Sequence, residues 1–263
     1  MLCQSPGCNK STYYNGHPGY CSRTCRDKST TPQYTCQALG CSKLTFNGLQ
    51  GYCSMICRDN KSNAIFDKPI GFYFPGRETP IDQKYKALML GNFFPVQNLM
   101  IIAPNWEKHL YFSNAEAGFQ ALKYEYSKAL LFCNDTGKQA FNRKKLLSNP
   151  NFANSGFDNN WKAMLHVLRA KFNNYDFYNF LLNTGNSFLI EHNSQIGRDL
   201  IWSNNNDGTG YNWLGFQLMW IRAEFNNATQ ELELLGSMFN IETGEFKNKK
   251  EWTDLVMHFT RQL

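Results

Sequence analysis

Apolar residues recur at helical spacing over residues 157–174, where Trp161, Met164, Leu165, Leu168 and Phe172 fall on one face. The same period appears at 214–225, where Leu214, Leu218, Ile221 and Phe225 align, in the tail from Glu251, and at 176–185, which Gly185 stops. A helix over about 114–132 presents Phe119, Leu122 and Tyr126 to the core. Shorter apolar runs predict strands at 187–192 (SFLIEH) and 98–106 (NLMIIAPNW), the latter buried. Runs at 71–80 and 87–96 are β-like, the first ended by Pro75-Gly76 and the second interrupted at Gly91-Asn92. Between the strand at 187–192 and the helix at 214 lies a polar loop, 198–213, rich in Asn and Gly. A loop of that length inside a compact domain is functional or disordered. The pattern predicts an α+β, mostly helical domain over 70–263.

The stretch Ser113–Tyr124 carries the densest candidate chemistry. Ser113 with Glu116 has the S-x-x-E form of a helix start. Glu116, Gln120 and Lys123 then stand at i, i+4 and i+7, so a carboxylate, an amide and an amine share a face. The alternative is plain: Glu116 closes a capping box and Lys123 is a solvated lysine.

The composition, with 42% hydrophobic and 15% aromatic residues among 263, suits a folded core. No run of 18 apolar residues exists to span a membrane, and no basic-then-apolar leader opens the chain, so an intracellular protein, cytoplasmic or nuclear, is expected. The net charge of +6 is uneven: residues 1–62 hold seven Lys/Arg and two acids. A modest basic module suits nucleic acid or an acidic partner.

That basic segment is a repeat. CQSPGCNKSTYYNGHPGYCSRTCRD, from Cys3, and CQALGCSKLTFNGLQGYCSMICRD, from Cys36, share Cys-x4-Cys, a spacer, and CS-x2-C. The ligand candidates are Cys3, Cys8, Cys21 and Cys25, then Cys36, Cys41, Cys53 and Cys57. A unit of this size buries too little apolar surface to fold alone, and four thiolates on one Zn2+ supply the missing free energy. Two structural zinc ions are expected, in modules 1–29 and 34–60 joined by a linker at 30–33, with a hinge at 60–69. A disulfide framework is the alternative; the missing leader and the single further cysteine, Cys133, favour zinc. His17 is matched by Leu49 and is read as a loop residue. The halves loosely resemble treble-clef or MYND-type fingers, which bind proteins or nucleic acid.

Several segments together resemble the NADAR (YbiA-like) family. They are FYF…LGNFFP (72–95), AEAGFQALKY (115–124), NNWKAML…LRAKF (159–172), FLLNTGNSFLIEH (180–192), D-x-x-W (199–202) and NWLGFQLMWIR (212–222). The resemblance implies an N-glycosidase of ribose–nitrogen bonds, without an organic cofactor. It would act on ADP-ribose attached to guanine in nucleic acid or a nucleoside, or on reactive riboflavin-pathway intermediates. It maps the family's acid to Glu116, its lysine to Lys123, its aspartate to Asp199 and its tryptophan to Trp202. Two features depart from the pattern: Ser203–Gly208 replaces the usual Gly-Asp-Gly, leaving Asp199 and Asp207 as rivals for the substrate, and Ala117 stands where many members have His. A binding module that has lost catalysis is the third alternative.

Cleavage through an oxocarbenium-like sugar requires a carboxylate, for which Glu116 is first choice and Asp199 second. Lys123 holds a phosphate or ribose hydroxyl, or attacks an opened ribose as a Schiff-base amine. Trp202 and Phe93 offer faces for a base. Asn92, Gln120 and Asn212 are candidate polar contacts. Arg222 would meet a phosphate or Glu116, and Gly208, Gly210 and Gly215 let backbone N–H groups approach phosphates.

Overall fold

The structure, a computed structural model, describes residues 2–4, 8–12, 19–22, 25, 34, 43–45, 51, 53, 54, 65–73, 76 and 78–263. The chain divides into two compact units, Met1–Ala64 and Ile65–Leu263. The second unit starts before the expected residue 70 because Phe66 packs edge-on against Phe188 and Phe259. The linker at 30–33, residues 60–64 of the hinge, and Cys36, Cys41 and Cys57 lie outside the described residues.

The larger unit is α+β. Strand β1 (Pro69–Phe72) leads to α1 (Pro80–Tyr85), β2 (Pro95–Ile101), β3 (Leu110–Asn114), α2 (Ala115–Ala121), a single turn α3 (Tyr126–Ala129) and α4 (Gly137–Arg143). Then come α5 (Asn160–Phe172), α6 (Tyr175–Leu182), β4 (Phe188–Glu191), α7 (Trp213–Asn226), α8 (Thr229–Met238) and α9 (Lys249–Thr260). Among the described residues no helix is long and apolar enough to cross a membrane.

Two short sheets frame the core. β1 and β4 run parallel, with Phe72 opposite Glu191. Phe188, Leu189 and Ile190 are fully buried, as a continuous apolar strand covered on both faces requires. Helix α7 closes over β4 at Gly215, where a Cβ would stand 2.1 Å from the Leu189 carbonyl oxygen. β2 and β3 are antiparallel, with a bulge between Pro95 and Leu99 where Asn98 takes the left-handed conformation. The expected buried strand at 98–106 therefore starts earlier and is half-exposed: Leu99 and Ile101 face inward, Met100 outward. The segment before α2 is strand β3, and neither α4 nor α8 shows in the hydrophobic pattern.

The expected helix at 114–132 breaks after Ala121, because side chains and loops capture the carbonyls that would continue it. Ser155 Oγ donates to Leu122 O, Asn151 N and Asn154 Nδ2 to Lys123 O at 2.8 and 3.0 Å, and Trp106 Nε1 to Tyr124 O at 3.0 Å. The helix start is also shifted. Ser113 lies within β3 and donates to Asp135 O, while Asn114, the last residue of β3, caps α2 by accepting from Ala117 N at 2.8 Å. Glu116 is thus free of the expected capping box, and its own N–H donates to Asn92 O at 3.0 Å.

Arg222 is a structural tie. Fully buried on α7, it donates through Nη1 to Thr184 Oγ1 (2.9 Å) and Ser187 O (2.8 Å), and through Nη2 to Glu231 Oε1 (2.6 Å). The expectation of a phosphate or Glu116 as its partner is corrected: Glu231 of α8 is the partner. Replacing one member of a buried pair strands the other charge, so Arg222→Leu should lower unfolding free energy by about 3–5 kcal/mol, read by denaturant titration.

Candidate active site

A cavity of about 370 Å3 opens where α2, the turn at Asn92, the end of β4 and the 198–203 loop meet. That volume lies in the range of small-ligand sites. Glu116, Gln120, Lys123, Asn92, Phe93, Asp199 and Trp202 all line it. On α2, Gln120 Nε2 donates to Glu116 Oε1 at 2.7 Å, and Lys123 Nζ donates to Gln120 Oε1 at 2.6 Å. Gln120 thus joins acid and amine in one hydrogen-bonded line. Lys123 sits beyond the helix end, its ammonium 5.0 Å from the Phe119 ring centre and 5.4 Å from that of Phe152. Trp202 meets Phe119 edge-on, with centroids 5.6 Å apart, and Gly137 leaves room for Phe93, whose ring would lie 2.5 Å from any Cβ there.

The site's floor is braced from behind. Asn92 receives the Glu116 N–H, and Lys171 Nζ donates to the neighbouring Gly91 O at 2.8 Å. Asn92 Nδ2 contacts Met164 Sδ at 3.5 Å, while its buried Oδ1 has no hydrogen-bond partner. Asp199 Oδ1 accepts from the backbone N–H groups of Ile201 (3.0 Å) and Trp202 (2.9 Å), which turns Trp202 toward the cavity.

Burial pushes the Glu116 carboxyl above its ordinary value; the Gln120 hydrogen bond and the charges of Lys123 and Lys144 oppose the rise, and Asp199 adds to it. Lys123 is lowered to about 8, first by burial and then by Lys144, with Glu116 acting the other way. Glu191, which the sequence reading passed over, also lines the cavity and is raised well above the usual carboxylate value by burial, Asp199 and Glu116. It stands at the C-terminal end of β4, whose parallel pairing with β1 places ligand-binding positions at that end but is not visible in the sequence. Lys144, Arg198 and Tyr73 are further lining residues that sequence patterns did not mark.

Five residues expected at the substrate, together with Gly210, lie outside the cavity lining, each for a structural reason. Asp207 is exposed and accepts from Thr209 N (2.9 Å) and Oγ1 (2.6 Å), holding a turn. Gly208, at φ +88°, lets the loop pass Met257, and a Cβ at Gly210 would lie 2.2 Å from Ser203 O. Asn212 sits left-handed at φ 48°, with Oδ1 accepting from Glu191 N (3.0 Å) and Nδ2 donating to Leu189 O (2.8 Å). Gly215 gives α7 its close approach to β4, and Arg222 holds Glu231. The loop is ordered by these contacts.

In the first unit, Cys3, Cys8, Cys21 and Cys25 gather with their Sγ atoms within 4.8 Å of one another. Cys8–Cys21, Cys21–Cys25 and Cys25–Cys8 separations are 3.5, 3.4 and 3.7 Å. At these separations no disulfide joins Cys8, Cys21 and Cys25 to one another. A tetrahedral ion with metal–sulfur bonds of about 2.3 Å holds its sulfurs about 3.8 Å apart, so the donor set fits such an ion.

No family model and no curated protein sequence matches the chain. Among solved structures, the NMR structure of the E. coli protein YbiA matches with a TM-score of 0.42 and 21% identity, over 63% of this chain and 91% of that one.

Lys123 supplies a direct check on the cavity's electrostatics. Competitive acylation read by mass spectrometry should give it a midpoint near 8, against 10.5 for an ordinary lysine. In Glu116→Gln the midpoint should fall further, since the carboxylate that favours the ammonium is gone.

Proposed function

We propose that the unit Ile65–Leu263 is an N-glycosidase hydrolysing a ribose–nitrogen bond, with ADP-ribose attached to a guanine base in nucleic acid as its substrate. The observation that carries this reading is the Glu116–Gln120–Lys123 line on the wall of a cavity that also holds Asp199 and Trp202. The motifs shared with the NADAR pattern support it. Glu116 activates the attacking water and stabilises the developing sugar cation, the task a buried carboxylate performs in glycoside hydrolysis. Lys123 binds a phosphate or ribose hydroxyl. Its lowered value also leaves free amine near neutrality for attack on an opened ribose. Trp202 and Phe93 offer ring faces to the base, while Asn92 Oδ1 is open to a donor.

The cysteine cluster is proposed to hold structural zinc and to serve targeting to nucleic acid or a protein. With all four ligands from the protein, such an ion has no open position for catalysis.

ADP-ribose release from a guanine-ADP-ribosylated oligonucleotide tests the reaction. Glu116→Gln should lower the rate by about 10²–10⁴-fold in a folded protein. Undiminished turnover in that variant removes Glu116 from the chemistry. A wild type that cleaves small ribosides and leaves the oligonucleotide untouched redirects the reading to metabolite repair, including riboflavin-pathway intermediates. Tight binding of ADP-ribose without cleavage makes the protein an adaptor.

Metal content gives a second prediction. The wild type should carry two zinc equivalents and Cys25→Ser one. Chelation should leave hydrolysis of a free nucleoside substrate intact.

A further inference from the structure

Glu191 ends β4 with its side chain on the cavity wall. Its Oε2 is enclosed and has no hydrogen-bond partner. Its backbone is fixed on both sides: the N–H donates to Asn212 Oδ1 at 3.0 Å, and the carbonyl accepts from Asn204 N at 2.8 Å. The groups sharing the cavity are Glu116 and Lys123 at α2, Lys144 after α4, Tyr73 after β1, and Arg198 and Asp199 in the loop. His192, the next residue along, is taken up by Asp82 at 2.9 Å. Glu116 has an amide donor at 2.7 Å and an ammonium one link further on. Two carboxyls in one enclosure with such unequal surroundings divide the roles of acid and base.

We infer that Glu191 is the general acid of the site, holding a proton at neutral pH and delivering it to the departing nitrogen of the base. This rests on the N-glycosidase reading. The carbon–nitrogen bond breaks with its electron pair passing to nitrogen, and the Glu191 proton neutralises that nitrogen as it leaves. Water adds to C1 of the ribose and gives its proton to Glu116. Solvent then returns a proton to Glu191 and takes one from Glu116, so the sum is riboside plus water giving ribose and free base. The direction of the Glu191 shift agrees: burial leads, with the charges of Asp199 and Glu116 adding to it.

The test compares wild type with Glu191→Gln on two ribosides of the same sugar. One carries a neutral base that needs a proton to leave. The other carries a cationic pyridinium-type base that departs neutral without one. The variant should lose about 10²–10⁴-fold on the first and less than about tenfold on the second, and the alkaline fall of the wild-type pH profile should vanish. Equal losses on both substrates would overturn the acid role. Infrared difference spectra of the same two proteins give a readout independent of turnover: a protonated-carboxyl stretch at neutral pH, present in wild type and missing in Glu191→Gln. Its lack in wild type overturns the inference even if the enzyme is active. A wild type that shows the band and cleaves no riboside overturns the N-glycosidase reading, and the acid role with it, while the location of the proton stands.

Discussion

Ionisable groups taken out of water must be held by something else, and the site depends on how that is done. Glu116, Glu191 and Asp199 share one cavity with Lys123, Lys144 and Arg198. An isolated buried charge would cost more than a domain of this size can spare. Gln120 resolves part of the problem by donating to Glu116 while accepting from Lys123. The rings of Phe119 and Phe152 flank the same ammonium. Lys123 stands in the turn just past α2, where it still reaches Gln120 three residues back.

Ending a helix inside a protein exposes carbonyls that need donors. Here Ser155, Asn151, Asn154 and Trp106 supply them within three residues of chain. The same solution recurs at β4. One edge pairs with β1; on the other, the Asn212 amide serves as a one-residue strand, accepting from Glu191 and donating to Leu189. Asn205 and Asn206 take left-handed positions in the loop that brings Trp202 to the cavity, a conformation asparagine tolerates better than most side chains. The abundance of asparagine, which looks like loop composition in the sequence, is backbone chemistry around the site.

This explains which parts were legible. Helices α5, α7 and α9 and strand β4 could be read because each buries a periodic or continuous apolar set. The Glu116, Gln120 and Lys123 grouping was legible because residues four and three apart meet on a short helix and in the turn that ends it. The break after Ala121 was not, since its causes lie near Trp106 and at 151–155, far along the chain. Glu191 was hidden for a related reason. Nothing in SFLIEH says that Asp199 and Glu116 will stand across from it, and a lone acid after an apolar strand reads as a solvated end. The five displaced residues were misplaced because a motif gives the company a residue keeps in sequence and omits which way it faces.

Asn212 shows how such a residue bears on chemistry without touching it. Its amide fixes the backbone at Glu191, and Gly215, three residues on, lets α7 press against the Leu189 carbonyl. Loss of either would move the strand end that carries Glu191, so both would register in a rate measurement as though they met the substrate. The difference lies in what else changes. A group that only transfers a proton can lose its acidity while the strand stays paired. A group that completes a strand edge cannot be removed without leaving the Glu191 N–H and the Leu189 carbonyl unpaired, a cost of about 1–3 kcal/mol per group that falls on folding itself. The chemical and structural roles around this cavity are therefore separable, although they meet at neighbouring atoms of one residue.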